Sequence, residues 1–177
     1  VSIVVVSLIF KNFYAPFGFF NEILKTFGLS AHPWLQDPGT ALAAVMFMDV
    51  WAAIGYYAII YLAGLQAIPT ELYEAAEMDG GGGFRKHLYI TLPLLKSTTL
   101  FILVINTIRS FQVFIEIFVM TRGGPLDSTL TTVFYLYDKA FTGFDLGYAS
   151  ALAYALFLVT LGASAVYVRF LREREMA

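Results

Sequence analysis

Apolar residues fall in four blocks along the chain, Val1–Phe10, Thr40–Leu65, Leu94–Met120 and Tyr148–Leu171, with polar stretches between them. A membrane-crossing helix needs about 20 mostly apolar residues, so the last three blocks read as spans and the first as the end of a span that the chain enters partway. The connecting stretches are Lys11–Gly39, Gln66–Pro93 and Thr121–Gly147, and a short tail follows Arg172. Four crossings put Gln66–Pro93 and the tail on the same side of a bilayer. The pattern predicts an all-α, polytopic transmembrane helix bundle, with residues 1–177 as a single domain.

The connections carry patterns of their own. In the first, Phe17, Phe19, Phe20, Phe27 and Trp34 are aromatics of the kind that prefer a membrane interface, and a short surface helix is expected over Phe19–Thr26. In the third, Gly123-Gly124-Pro125 is a turn signal. Beyond it Leu130, Val133, Phe134, Tyr137 and Phe141 recur at helical spacing, which predicts an amphipathic interfacial helix over Ser128–Phe141. The middle connection reads as two short helices broken by glycines. Thr70 is the expected N-cap of the first, with Glu71 in its positive first turn, and Gly80 closes it. Gly81, Gly82 and Gly83 add conformational freedom before a second helix over Phe84–Tyr89, which Pro93 is expected to stop.

Composition narrows the classes. With 59% hydrophobic and 14% charged residues and a mean hydropathy of +0.72, the chain is too apolar for an ordinary soluble domain. A net charge of −2 without clustered Lys and Arg argues against nucleic acid. The absence of cysteine removes disulfides, thiolate metal sites and a Cys nucleophile. The sequence opens at Val1 without the basic region of a signal peptide, and is expected to be an N-terminally truncated piece. Charge suggests an orientation. Six basic residues, Arg85, Lys86, Lys96, Arg169, Arg172 and Arg174, flank the middle connection and the tail, against Lys11, Lys25, Arg122 and Lys139 on the other face. The positive-inside rule therefore places the middle connection and the tail in the cytoplasm.

Glu74-Ala75-Ala76, three residues, Gly80, nine residues, then Ile90-Thr91-Leu92-Pro93 resembles the signature loop of the membrane subunits of bacterial binding-protein-dependent ABC importers. Glu71, Leu72, Tyr73, Asp79 and Thr91 also match the residues usual in that family. Trp34-Leu35-Gln36-Asp37-Pro38, the segment 63–69, Met120–Pro125 and Gly147–Ala151 are similar to its carbohydrate-uptake branch. The Gly-Gly-Pro segment and the charged tail resemble the first of the two non-identical permeases of a sugar or glycerol-phosphate importer. The resemblance implies a type I importer permease fold, with about six spans in the whole protein. It implies that 66–93 is a cytoplasmic coupling loop docking its first helix into a cleft of an ATP-hydrolysing subunit. The residues carrying that role would be Glu71, Glu74, Ala75, Ala76, Asp79, Gly80, Ile90, Leu92 and Pro93. The implied partners are a second permease subunit, two ATP-binding subunits, an extracytoplasmic solute-binding protein, a sugar-like solute and the bilayer. No cofactor is expected on this chain, since ATP would be bound by the partner subunits. Gly81–Gly83 depart from the family pattern of Ala and a small polar residue after the Gly, and predict a softer joint.

Polar groups within spans are costly, roughly 2.5–3.5 kcal/mol for a central charge on insertion scales. The third span holds Asn106, Arg109, Gln112 and Glu116, whose separations of three, three and four residues would put them on one helical face. They could line a solute path, with Phe111 or Phe114 for stacking on sugar rings, or simply hold helices together. Asp49 in the second span raises the same choice, with a salt bridge to Arg109 as the structural reading. Signals for enzymatic chemistry are poor. Gly80–Lys86 lacks the phosphate-loop order, and His32 and His87 are isolated on opposite sides, so neither a metal pair nor a triad can be drawn. On that resemblance the sequence is expected to be a non-enzymatic permease subunit of an ATP-driven sugar importer in the inner membrane. An ion-gradient-driven secondary transporter is the alternative.

Overall fold

The computed structural model describes residues 2–172; Arg174, counted above for the tail, lies outside them. The described residues contain helices and turns and no strand. In chain order these are α1 (Ile3–Phe13), α2 (Phe19–Thr26), α3 (Ala41–Gln66), α4 (Thr70–Met78), α5 (Gly83–Lys86), a π turn (His87–Thr91), α6 (Leu92–Leu94), α7 (Lys96–Phe111), α8 (Ile115–Met120), α9 (Thr132–Tyr137), a second π turn (Asp138–Thr142) and α10 (Leu146–Arg172). Two of these, α3 and residues Leu146–Val166 of α10, are long and apolar enough to cross a membrane. A third candidate is the pair Gly83–Leu94 and Lys96–Phe111, bent by 54°. The chain divides into two compact units, Val1–Ala53 with Arg109–Gly162, and Ile54–Ile108 with Ala163–Ala177.

The first unit is built around α1, the start of α3, and α8. Val6, Phe10, Tyr14, Ala44, Val45, Met48, Ile117, Met120 and Phe134 form its core. Lys11 donates to the Val119 carbonyl (2.8 Å), tying α1 to α8, and the Tyr14 hydroxyl donates to the Ala44 carbonyl (2.9 Å). On the other side of α1, Val4, Val5, Leu8 and Ile9 are exposed, as are Leu42, Met46 and Phe47 of α3. Helices that are apolar on their exposed as well as their buried faces belong in lipid or against other apolar spans.

The first connection folds around one side chain. Asn21 is fully buried; its amide donates to the carbonyls of Ala15 (3.0 Å) and His32 (3.1 Å), while its oxygen accepts from the His32 N–H (2.8 Å) and the Trp34 indole (3.1 Å). His32 also meets the Thr40 hydroxyl at 3.0 Å and the Asp37 carboxylate at 3.5 Å, so it is a partnered member of the loop rather than an isolated histidine.

The second unit joins the C-terminal part of α3 to α7. Tyr57 donates to Asn106 (2.8 Å), and Tyr61 to Thr99 (3.2 Å). A Cβ at Gly64 would sit 2.6 Å from the Thr98 hydroxyl and 3.1 Å from a Leu95 methyl, so glycine leaves the room that these α7-side side chains fill.

Several expectations need correction. The third apolar block is not one helix: α7 ends at Phe111 and α8 begins at Ile115. The broken ladder is patched from outside, the Thr131 hydroxyl donating to the Val113 carbonyl at 2.8 Å. Asn106 and Arg109 therefore share a helix, whereas Gln112 lies in the break and Glu116 on α8, and the four do not form one helical face. Thr70 is not a cap but the first helical residue, after Pro69. The interfacial helix starts at Thr132, with Thr131 accepting from the Phe134 N–H as its N-cap. Residues ahead of it are held in turns with positive φ at Arg122, Gly123, Leu126 and Asp127. Finally, Pro93 does not stop the second short helix. Its ring would clash with the Tyr89 carbonyl in a regular α-helix; instead the π turn His87–Thr91 widens the backbone. The helix then resumes as α6 with Pro93 in its first turn, where a missing N–H costs little.

Candidate functional site

The loop between α3 and α7 is an elbow made of α4 and the α5–π–α6 arm. α4 ends in a Schellman closure. Gly80 takes φ +73°, its N–H bonds to the Glu77 carbonyl (3.0 Å), and the Gly81 N–H bonds to the Ala76 carbonyl (2.7 Å). Gly80 is there for its left-handed conformation, and Gly81 for space, since a Cβ on it would lie 2.6 Å from the Ala76 oxygen. Gly82 and Gly83 have neither constraint: no neighbour approaches their Cβ positions, and Gly82 has ordinary extended angles.

Two side-chain contacts cross the elbow. Tyr73 of α4 and Thr91 of the π turn share a hydrogen bond (2.9 Å), with the Thr91 side chain buried. Lys86 of α5 forms an ion pair and hydrogen bond with Glu77 of α4. The Lys86 ammonium holds the Glu77 carboxyl below its ordinary pKa. The contact's contribution is therefore complete above that ordinary value and fades as pH falls through the lowered one.

With Tyr73 and Ala76 turned toward the arm, α4 presents Glu71, Glu74, Ala75 and Met78 outward, all exposed. Their spacing of three, four and seven residues makes one helical face. It carries two carboxylates, a small residue that permits close approach, and a thioether 90% exposed at the tip. Asp79 is exposed at the C-cap position. On the arm, Ile90 is half-buried, and Leu92 and Pro93 are exposed. Phe84 and Tyr89, at 80% and 73% exposure, add apolar surface that the sequence reading did not single out.

The polar residues of the spans are dispersed. Asn106 accepts the Tyr57 hydrogen bond described above, a helix-packing contact. Arg109 and Gln112 are exposed, and Glu116 is buried in the first turn of α8. Asp49 is half-buried, and among the described residues no ion pair joins it to Arg109, contrary to the bridge expected above.

Against known proteins, the profile described as "Binding-protein-dependent transport system inner membrane component" matches residues 1–176. The chain belongs to this family. Among its relatives, the sulfoquinovosyl glycerol transport system permease protein SmoG of Agrobacterium fabrum is 39% identical over 163 residues, 92% of this chain and 53% of that protein. The trehalose/maltose transport system permease protein MalF of Thermococcus litoralis is 39% identical over 159 residues, 90% of this chain and 54% of that protein. A crystal structure of a bacterial ABC transporter involved in the import of the acidic polysaccharide alginate superposes with a TM-score of 0.86 at 26% identity, covering 98% of this chain and 61% of that one. The chain thus spans little more than half the length of these relatives.

As an inner-membrane component of this family, the chain has residues at the elbow that its signature spacing did not reveal as partners. In the sequence Tyr73 and Thr91 match the family only as residue types. The Glu77–Lys86 contact lies between two positions nine residues apart on different helices, beyond the reach of helical periodicity. A Glu-to-Lys separation across a glycine turn was the available signal.

Proposed function

We propose that this chain is a membrane-spanning permease subunit of an ATP-driven importer, carrying a sugar or sugar-like solute delivered by a solute-binding protein. The observation that carries this reading is the α4 face, with Glu71, Glu74, Ala75 and Met78 exposed on a helix that is braced from behind. An acidic, small-residue face on a short helix fits a cleft with a basic residue in a partner, and the partner inferred is an ATP-hydrolysing subunit on the cytoplasmic side. The solutes for which these relatives are named, sulfoquinovosyl glycerol, trehalose/maltose and alginate, support this solute class. A solved complex of the alginate transporter with a pentasaccharide-bound periplasmic protein, superposing with a TM-score of 0.75, supports a binding protein as partner. A second permease and two ATPase subunits complete the proposed assembly. Closure of the ATPase dimer would move the elbow, and the spans would rock between inward-open and outward-open states, a two-state change biased by ligand and nucleotide. The ion-gradient-driven alternative draws no support from these relatives.

In the importer reconstituted with its partners, Glu74→Ala is expected to cut solute-stimulated ATP hydrolysis at least tenfold, as truncating one side of an interfacial charge pair costs about 2–5 kcal/mol. Membrane insertion of the subunit should be unchanged. Full stimulation in that variant would overturn the docking role. Arg109→Ala is expected to lower solute transport several-fold with the complex still assembled on purification; loss of the complex instead would make Arg109 a packing residue.

A further inference from the structure

The elbow holds a contact that the docking face does not need. Glu77 points away from the outward row of Glu71, Glu74 and Met78, and meets Lys86 across the glycine turn. Lys86 is 18% exposed at its side chain against 65% for Glu77, so the lysine is the anchored member and the glutamate closes onto it. The main chain between them, Met78–Arg85, contains all four consecutive glycines, Gly80–Gly83, and at three of them, Gly80, Gly82 and Gly83, an added Cβ would meet nothing within 4 Å. The backbone on one side of this gap is fixed by the Schellman bonds to Ala76 and Glu77, and the Tyr73–Thr91 bond lies at the opposite end of the arm. The segment Gly82–Lys86 is spanned by the Glu77–Lys86 contact.

We infer that Glu77 and Lys86 are positioning residues, a charge clasp that sets the angle between the two helices of the elbow and compensates for the glycine run. This rests on the coupling role proposed above. Neither residue need touch the ATPase; the clasp acts by presenting Glu74 and Ala75 at a fixed angle to the arm that leads into α7. The chemistry requires opposite charges in the pair, not a particular order, and that property separates a clasp from a docking contact.

The test is charge reversal in the complete importer, reconstituted in proteoliposomes with its binding protein. Solute transported per ATP hydrolysed is measured for Glu77→Lys, Lys86→Glu, the double exchange E77K/K86E, and Glu74→Ala as reference, with assembly checked by co-purification of the ATPase subunits. Each single reversal is expected to lower the coupling ratio about threefold, on the order of what losing an exposed ion pair does to a population. The double exchange is expected to restore it to within about 1.5-fold of wild type, the recovery that defines an interacting pair. A double exchange as poor as the singles would overturn the clasp, because the residues would then act on something other than each other. Singles that equal wild type while Glu74→Ala is uncoupled would also overturn it, leaving the docking role intact. Wild-type coupling in every variant, Glu74→Ala included, would overturn the coupling role itself. If a single reversal does not assemble, the double exchange still decides.

Discussion

Asn21→Ala is expected to cost the first connection about 3 kcal/mol, among the largest effects of any single polar change in this chain. All four hydrogen-bonding positions of the Asn21 amide are used, and its side chain has no exposure. Truncation would leave the His32 N–H and the Trp34 indole without their partner, and would take one of two donors from each of the Ala15 and His32 carbonyls, which keep the backbone N–H groups of Gly18 (2.8 Å) and Trp34 (3.0 Å). A buried polar group that loses its partner costs about 1–3 kcal/mol, less where water can reach it, as it can at the half-buried His32 and Trp34. Asn21→Asp is the sharper comparison. It keeps the shape and both contacts made by the oxygen, but turns the group facing two carbonyls from donor to acceptor and buries a charge, so at neutral pH it is expected to be at least as damaging as alanine. The sequence has two tryptophans. With Trp51→Phe as background, Trp34 alone reports the loop: its emission should shift to the red, and protease cleavage within residues 27–36 should accelerate. Unchanged Trp34 emission in Asn21→Ala would mean that the aromatic cluster of Tyr14, Phe20 and Trp34 holds the loop unaided.

How far the sequence foretold the structure depended on how local the physics was. The expected surface helix over Phe19–Thr26 has the same bounds in the structure, and the block Thr40–Leu65 became α3, Ala41–Gln66. Both are determined by apolar patterning and by neighbouring breakers such as Gly18 and Gly39. The all-helical class follows from the same blocks. The break at Gln112–Phe114 was not legible, because no glycine or proline marks it and the polar residues around it, Asn106, Arg109, Gln112 and Glu116, have the spacing of one face of a continuous helix. What permits it is the Thr131 hydroxyl, 18 residues away, donating to Val113. The Asp49–Arg109 bridge failed for a related reason: opposite charges on two spans say nothing about whether the side chains turn toward one another. At the signature loop, the positions of Glu74 and Gly80 were legible from spacing. The division of α4 into an outward face and a braced face was not, because it depends on Tyr73–Thr91 and Glu77–Lys86 contacts across the turn.

The glycine run separates into two halves with opposite expected outcomes, and this bears on whether the joint is soft. Gly81→Val is expected to break the elbow. Its Cβ would meet the Ala76 oxygen at 2.6 Å, well inside contact distance, and the bond from the Gly81 N–H to that same oxygen leaves no room to move it aside. Relieving the clash means opening the Schellman closure and so releasing the end of α4 that carries Ala75 and Met78. Gly80→Ala meets no neighbour but must hold φ +73°, a conformation costing about 1–2 kcal/mol for a residue with a Cβ. Gly82→Ala and Gly83→Ala go the other way. Both positions are open, Gly82 is extended and Gly83 begins α5, so each alanine is expected to stabilise the loop by about 0.4–1 kcal/mol through the unfolded chain's lost freedom. In the reconstituted importer, Gly81→Val should reduce solute-stimulated ATP hydrolysis at least as far as Glu74→Ala does. The pair Gly82→Ala/Gly83→Ala should match or exceed wild type. If that alanine pair uncouples the importer while Gly81→Val does not, the freedom of the run is what the loop requires, and a fixed angle between its helices cannot be the basis of coupling.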